Sequence, residues 1–176
     1  MAVLGVCTVV LASSIWINPV AKGVPEITKS ETMQQIRDLV KEDPQAIWLV
    51  ADMAYPATNI PAMAGADCLN TTQTYPQKTR WEMLDPEGEY EDIYNRYCHI
   101  RASLGSKTML ELVSTDYVEV TLSPEDLKKL NIRYIVSTND FDEKIAAGTT
   151  NIFTDSGIEF QKYYEGTQLS IYGCVY

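Results

Sequence analysis

The apolar and polar positions of the chain separate one continuous apolar stretch from a long periodic remainder. No charged side chain occurs before Lys22, and Ala2 to Ile17 is almost wholly apolar. As a helix, about 20 residues rising ~1.5 Å each would just cross the ~30 Å hydrocarbon layer of a bilayer. Trp16 fits an interfacial aromatic anchor, and Asn18-Pro19 would end the helix at the water boundary. Three readings compete. A transmembrane helix over residues 1–21 is favoured. A cleaved signal peptide wants a positive start, which is missing, and Ala12-Ser13-Ser14 is a poor small-residue site. A buried core helix fits the Ala, Gly, Ser and Thr that dilute the run. With no Lys or Arg at its start, the segment has no orientation by the positive-inside rule.

Residues 22–29 read as an extended linker around Val24-Pro25-Glu26-Ile27. Thr28-Lys29-Ser30-Glu31 has the form of a capping box, and Met33, Ile36, Leu39 and Val40 then recur at helical spacing until Asp43-Pro44. Ala46 to Ala51, closed by Asp52, is an unbroken apolar run of strand length, as expected of a strand buried on both faces. Between residues 53 and 84, Pro, Gly and Asn interrupt any period. This predicts an irregular loop with short strands, Ala62 to Ala66 being one, of the kind that often carries binding function. Asp85-Pro86 predicts a helix start, with Tyr90, Ile93, Tyr94 and Tyr97 on one face. The plainer role of that tyrosine stripe is packing, and the sharper one is sugar stacking.

The spacing leaves residues 98–113 ambiguous. Tyr117 to Leu122 predicts a strand, and Ser123-Pro124-Glu125-Asp126 a helix start. Asn131 is a left-handed cap, and Ile132 to Ser137 a further strand. A hairpin turning at Glu165-Gly166-Thr167 closes the chain. Together these elements predict an α/β fold, a single mixed-sheet, three-layer-like domain over residues 30–176 with a terminal β-hairpin.

Composition narrows the function classes. With 176 residues, 14 Lys+Arg against 24 Asp+Glu and a net charge of -10, the chain is one domain with an appendage, unsuited to the phosphates of nucleic acid. A single histidine, His99, excludes multi-histidine metal sites. No glycine-rich phosphate loop and no nucleophile elbow is present, and no metal or cofactor is expected. No CxxC spacing occurs among Cys7, Cys68, Cys98 and Cys174. Outside the cytoplasm a Cys68–Cys98 disulfide would fit, while buried free thiols fit equally well. Asn70-Thr71-Thr72 matches a glycosylation sequon, a tripeptide that also arises by chance. Asp52 closes one strand, and Asn139, Asp140 and Asp142 follow another. If the two strands are parallel neighbours, these groups meet at one sheet edge, where Asp52 and Asp140 would be candidate catalytic carboxylates. The plainer reading is that they cap loops.

Several segments together carry a resemblance. They are Asn18-Pro19-Val20-Ala21-Lys22-Gly23, Ile47-Trp48-Leu49-Val50, Tyr75-Pro76 with Trp81 and Leu84-Asp85-Pro86, Tyr94 to Ile100 with its Asn-Arg-Tyr-x-His pattern, and Leu130 to Ser137. With the tyrosine-rich closing hairpin, they are similar to the last membrane helix and C-terminal extracytoplasmic domain of large multi-pass bacterial membrane proteins of the glycosyltransferase type. The resemblance implies a single-pass anchor in the bacterial cell membrane with the soluble domain outside the cytoplasm. It implies a role in cell-surface polysaccharide or teichoic acid assembly. A multi-pass membrane subunit and a glycan or lipid-linked sugar would be the partners. In that class the catalytic acids lie in early loops between membrane helices. None is matched here, so the resemblance implies a substrate-binding or organising role rather than catalysis.

The expected ligand contacts are Tyr55, Asn59, Tyr75, Trp81, Asn95, Arg96 and His99, because aromatic faces stack on sugar rings and a guanidinium grips phosphate at two points. The plainer role of Arg96 is an ion pair with nearby helix carboxylates. The rival expectation is a stand-alone hydrolase or transferase using Asp52 and Asp140.

Overall fold

A computed structural model of the chain describes residues 2–16, 25–146 and 156–176. The chain divides into two compact units, Met1–Ser30 and Glu31–Tyr176. In the first unit, α1 spans Ala2–Trp16 and α2 is the single turn Pro25–Thr28. The 15 residues of α1 rise about 22 Å. No described helix is long and apolar enough to cross a membrane. Residues 1 and 17–21 of the expected span lie outside the described residues, as do residues 22–24 of the expected linker; the part of the linker that is described is not extended, since Pro25–Thr28 closes a helical turn. No polar face interrupts α1, and Val3, Val6, Val9 and Val10 are 77%, 63%, 68% and 56% exposed. The expected capping box at Thr28 is not the start of the next helix. Thr28 closes α2, the Ser30 hydroxyl donates to the Ile27 carbonyl, and the following helix begins at Glu31.

The second unit contains α3 (Glu31–Glu42), β1 (Ile47–Ala51), a 3-10 turn (Ala57–Asn59), α4 (Ile60–Met63), β2 (Asp67–Cys68), β3 (Thr72–Gln73), α5 (Lys78–Leu84) and α6 (Glu91–Tyr94). It continues with β4 (Cys98–Leu104), β5 (Met109–Ser114), β6 (Tyr117–Leu122), α7 (Pro124–Lys129), β7 (Ile132–Ser137), α8 (Phe141–Ala146), β8 (Glu159–Glu165) and β9 (Ser170–Val175). All nine strands join one mixed sheet in the order β5-β6-β4-β1-β7-β9-β8, with β2 beside β1 and β3 beside β4. The four central strands β6, β4, β1 and β7 run parallel, and antiparallel strands flank them on both sides.

Burial follows from this order. Leu49, Val50 and Ala51 of β1 are sealed on both faces, as their unbroken apolar run predicts, each large aliphatic contributing about 1.5–3 kcal/mol by leaving water. One face packs Trp81 of α5, Tyr94 of α6, Leu127 of α7 and Phe141 of α8 against Leu49, Ile100, Val120 and Ile135. The opposite face packs Ile36 and Leu39 of α3 against Trp48, Val50, Tyr134, Val136 and Ile171, and this cluster takes in Cys68 of β2 with Met53 and Ala66 but no residue of β4 or β6. On that face of β4 and β6, His99, Arg101, Ser103, Tyr117, Glu119 and Thr121 remain partly exposed.

β1 and β4 pair only at Ala51 and Ala102 and part toward their starts, where β2 and β3 fill the gap. Asn70 closes this gap. Its side chain accepts from the Val50 amide at 2.9 Å and donates to the Val50 carbonyl at 2.7 Å, replacing the missing strand neighbour. The sequon asparagine is therefore fully buried, with its amide nitrogen and oxygen both engaged.

Two local expectations are corrected. Ala62 to Ala66 is not a strand: it closes α4 and turns through Gly65, and the strand follows at Asp67. Asp85-Pro86 does not start a helix. Instead, the Asp85 carboxylate accepts the amides of Glu89 and Tyr90, folding the chain into a loop through left-handed Gly88, and only one helical turn, α6, forms. Tyr94 is buried while Tyr97 lies beyond the helix, half exposed, so the tyrosines make no single stripe.

Candidate functional site

Two groups of polar residues are candidates, and the first occupies the place where a fold of this kind carries chemistry. The first lies at the carboxyl ends of β1 and β7. The connection leaving β1 heads toward β4, and the one leaving β7 heads toward β9 and β8, so the two strands bound the crevice typical of open α/β sheets. The expected meeting of Asp52 and Asn139 occurs: Asn139 Nδ2 donates to Asp52 Oδ2 at 2.6 Å. Asp52 adopts a left-handed backbone (φ 62°), and its amide donates to the Ala102 carbonyl.

Asp140 is engaged on every side. It accepts the amides of Asp142 and Glu143 at the start of α8, the Tyr172 hydroxyl at 3.2 Å and the Lys162 ammonium at 3.2 Å. The Glu143 amide foremost, then Lys162, holds the Asp140 carboxyl below its ordinary range. Lys162 also reaches Asp142 at 2.9 Å and Glu165 at 3.4 Å, and its bonds to Asp142 foremost, then to Asp140, raise its pKa. A carboxyl so placed stays ionised at neutral pH and is no proton donor. Among the described residues, no group of three or more His, Cys, Asp or Glu side chains could hold a metal ion.

The second group lies at the start of β4, on the sheet face that α3 leaves open. β3 pairs antiparallel with β4, setting Thr72 opposite His99, and the Thr72 hydroxyl lies 3.0 Å from His99 Nδ1. Asn59 fixes that hydroxyl: it accepts the Thr72 amide at 3.0 Å and donates to Thr72 Oγ1 at 3.2 Å. Thr72 Oγ1 thus serves Asn59 and His99 Nδ1 together, which holds the imidazole ring by its Nδ1 edge and turns Nε2 away from the Thr72 hydroxyl. Among the described residues Nε2 has no partner. The Tyr55 ring covers the imidazole at 4.1 Å between centroids, and Tyr97 meets it edge-on at 5.6 Å.

Three expected ligand contacts, Tyr55, Asn59 and His99, thus come together, and four do not join them. Trp81 is buried, its indole donating to Gln73 at 2.7 Å. Tyr75 is 84% exposed. Asn95 bonds Glu91, and Arg96 turns back to the Asp92 carbonyl, a backbone group rather than a helix carboxylate. Cys68 and Cys98 form no disulfide; both are buried free thiols, in apolar clusters on opposite faces of the sheet. Burial raises them to about 12 and about 11 respectively. Sequence reasoning missed Thr72, Lys162 and Tyr172. Thr72 sits in a two-residue strand with no periodic signal, and Lys162 and Tyr172 reach Asp140 only once the closing hairpin is placed beside β7.

No curated protein and no solved structure matches the chain. A family model matches residues 26–176, most of the chain, and by that match the chain belongs to the family described as Domain of unknown function (DUF7654).

Proposed function

We propose that the chain is a membrane-anchored, extracytoplasmic domain of a glycosyltransferase-type protein of the bacterial cell surface, binding or organising a polysaccharide or teichoic acid substrate rather than transferring it. The observation that carries this reading is α1. A helix apolar on every side has no face to give to water and belongs in a core or a bilayer, yet its valines stand exposed. The apolar sequence runs on past Trp16 to Ile17 before Asn18-Pro19. A multi-pass membrane subunit and a glycan or lipid-linked sugar are the proposed partners, and Tyr55, Asn59 and His99 the contact surface. The crevice favours no hydrolase, because Asp140 is committed to capping α8 and pairing Lys162.

Flotation with phospholipid vesicles tests the anchor. The full chain is expected to rise with the lipid, and Val6→Glu with Val9→Glu to leave it in the bottom fraction, since a charge near the helix centre costs about 2.5–3.5 kcal/mol. A wild-type chain that stays at the bottom would refute the reading.

A further inference from the structure

The polar side chains of the open sheet face bear on which glycan fits there. Arg101 is the only Lys or Arg on that face of β4, β5 and β6, and it pairs with Glu119 at 3.1 Å. Glu111 of β5 lies directly opposite Glu119 on the side away from Arg101, so the row across the three strands sets two carboxylates against one guanidinium. The chain as a whole carries -10. Arg96, beside Tyr97, is turned away to the Asp92 carbonyl. A phosphodiester polymer would meet a paired cation, an uncompensated carboxylate and a repulsive far field.

An uncharged sugar meets something different. The Tyr55 and Tyr97 rings are half exposed, and flat aromatic faces suit the apolar side of a pyranose. His99 presents an Nε2 that no described residue engages, in an orientation that Thr72 and Asn59 fix beforehand. Tyr117, paired with His99 across β4 and β6, adds a phenol, and the Ser103–Thr121 hydroxyl pair lies further along the same strands.

We infer that this face binds an uncharged saccharide, with Tyr55 and Tyr97 as stacking platforms and His99 Nε2 as the hydrogen-bond partner of a sugar hydroxyl. The inference rests on the surface-glycan reading and narrows it, setting the site against phosphate-bearing polymers.

His99 is the only histidine, so its imidazole signals in a 1H–15N spectrum of the full chain in lipid nanodiscs are unambiguous. A panel of neutral gluco-, galacto-, manno- and N-acetylglucosamine oligosaccharides is titrated against poly(glycerol phosphate). A neutral member is expected to shift the His99 signal saturably and with little salt dependence, while poly(glycerol phosphate) leaves it in place. Tyr55→Ala and Tyr97→Ala, both at half-exposed positions, are expected to keep the dispersed amide spectrum of the folded chain and to weaken that binding about tenfold each. If poly(glycerol phosphate) moves His99 more tightly than any neutral sugar, the inference falls and the surface-glycan reading stands. A neutral sugar that binds without moving His99 also overturns the inference alone. If neither class binds anywhere on the chain, the substrate-binding reading falls with it.

Discussion

Asn70 spans the gap between β1 and β4, bonding both backbone groups of Val50. Asn70→Ala would strand a buried donor and a buried acceptor, and is expected to cost about 2–4 kcal/mol in denaturant unfolding. A loss under about 0.5 kcal/mol would mean that other groups, or water, satisfy Val50. This role was not legible in the sequence, where Asn70 reads as the head of a sequon; its partner is 20 residues away and the contact exists only once the strands part. Trp81 was misleading for the converse reason. An indole in an irregular segment looks available to a ligand, but Gln73 of β3 takes its hydrogen inside the core. Asn131 was legible, because a left-handed residue after a short helix is a local matter, and its φ is 53°.

At the scale of the element, legibility followed the range of the forces involved. β1, β6, β7 and the closing hairpin appear where the apolar runs place them, and α7 begins where Ser123-Pro124 predicts. The cap of α7 is a full capping box: Ser123 accepts the Asp126 amide, and the Asp126 carboxylate takes the Ser123 amide and hydroxyl together with the Thr108 hydroxyl. Ser123→Ala is expected to destabilise the domain by about 1 kcal/mol, read as a lower denaturant midpoint at unchanged slope. A variant as stable as the wild type would show that the cap contributes nothing net. Segments governed by longer-range contacts were not legible. The Asp85 loop competes with a helix that the same residues favour locally, and Gly88 with the Glu89 and Tyr90 amides decides for the loop. β2 and β3, two residues each, have no period to read.

The whole molecule combines a mixed sheet covered on one face and half covered on the other with an apolar helix of its own unit. The sequence predicted a mixed sheet but not its order, since strand order depends on pairings between distant segments. The order decides the candidate sites: it sets β1 beside β7, which brings Asn139 to Asp52, and leaves the β4–β6 face open around His99. The three thiols of the α/β domain are buried, with Cys174 raised by desolvation to about 12 like Cys68, and so hold little of the thiolate that reacts. Cys7, exposed on α1, is the one thiol a reagent can reach. Labelling it with a charged, membrane-impermeant maleimide is therefore the most direct test of the anchor. With the full chain in vesicles, Cys7 is predicted to stay unlabelled until detergent dissolves the bilayer; prompt labelling in intact vesicles would contradict a helix seated among lipid tails.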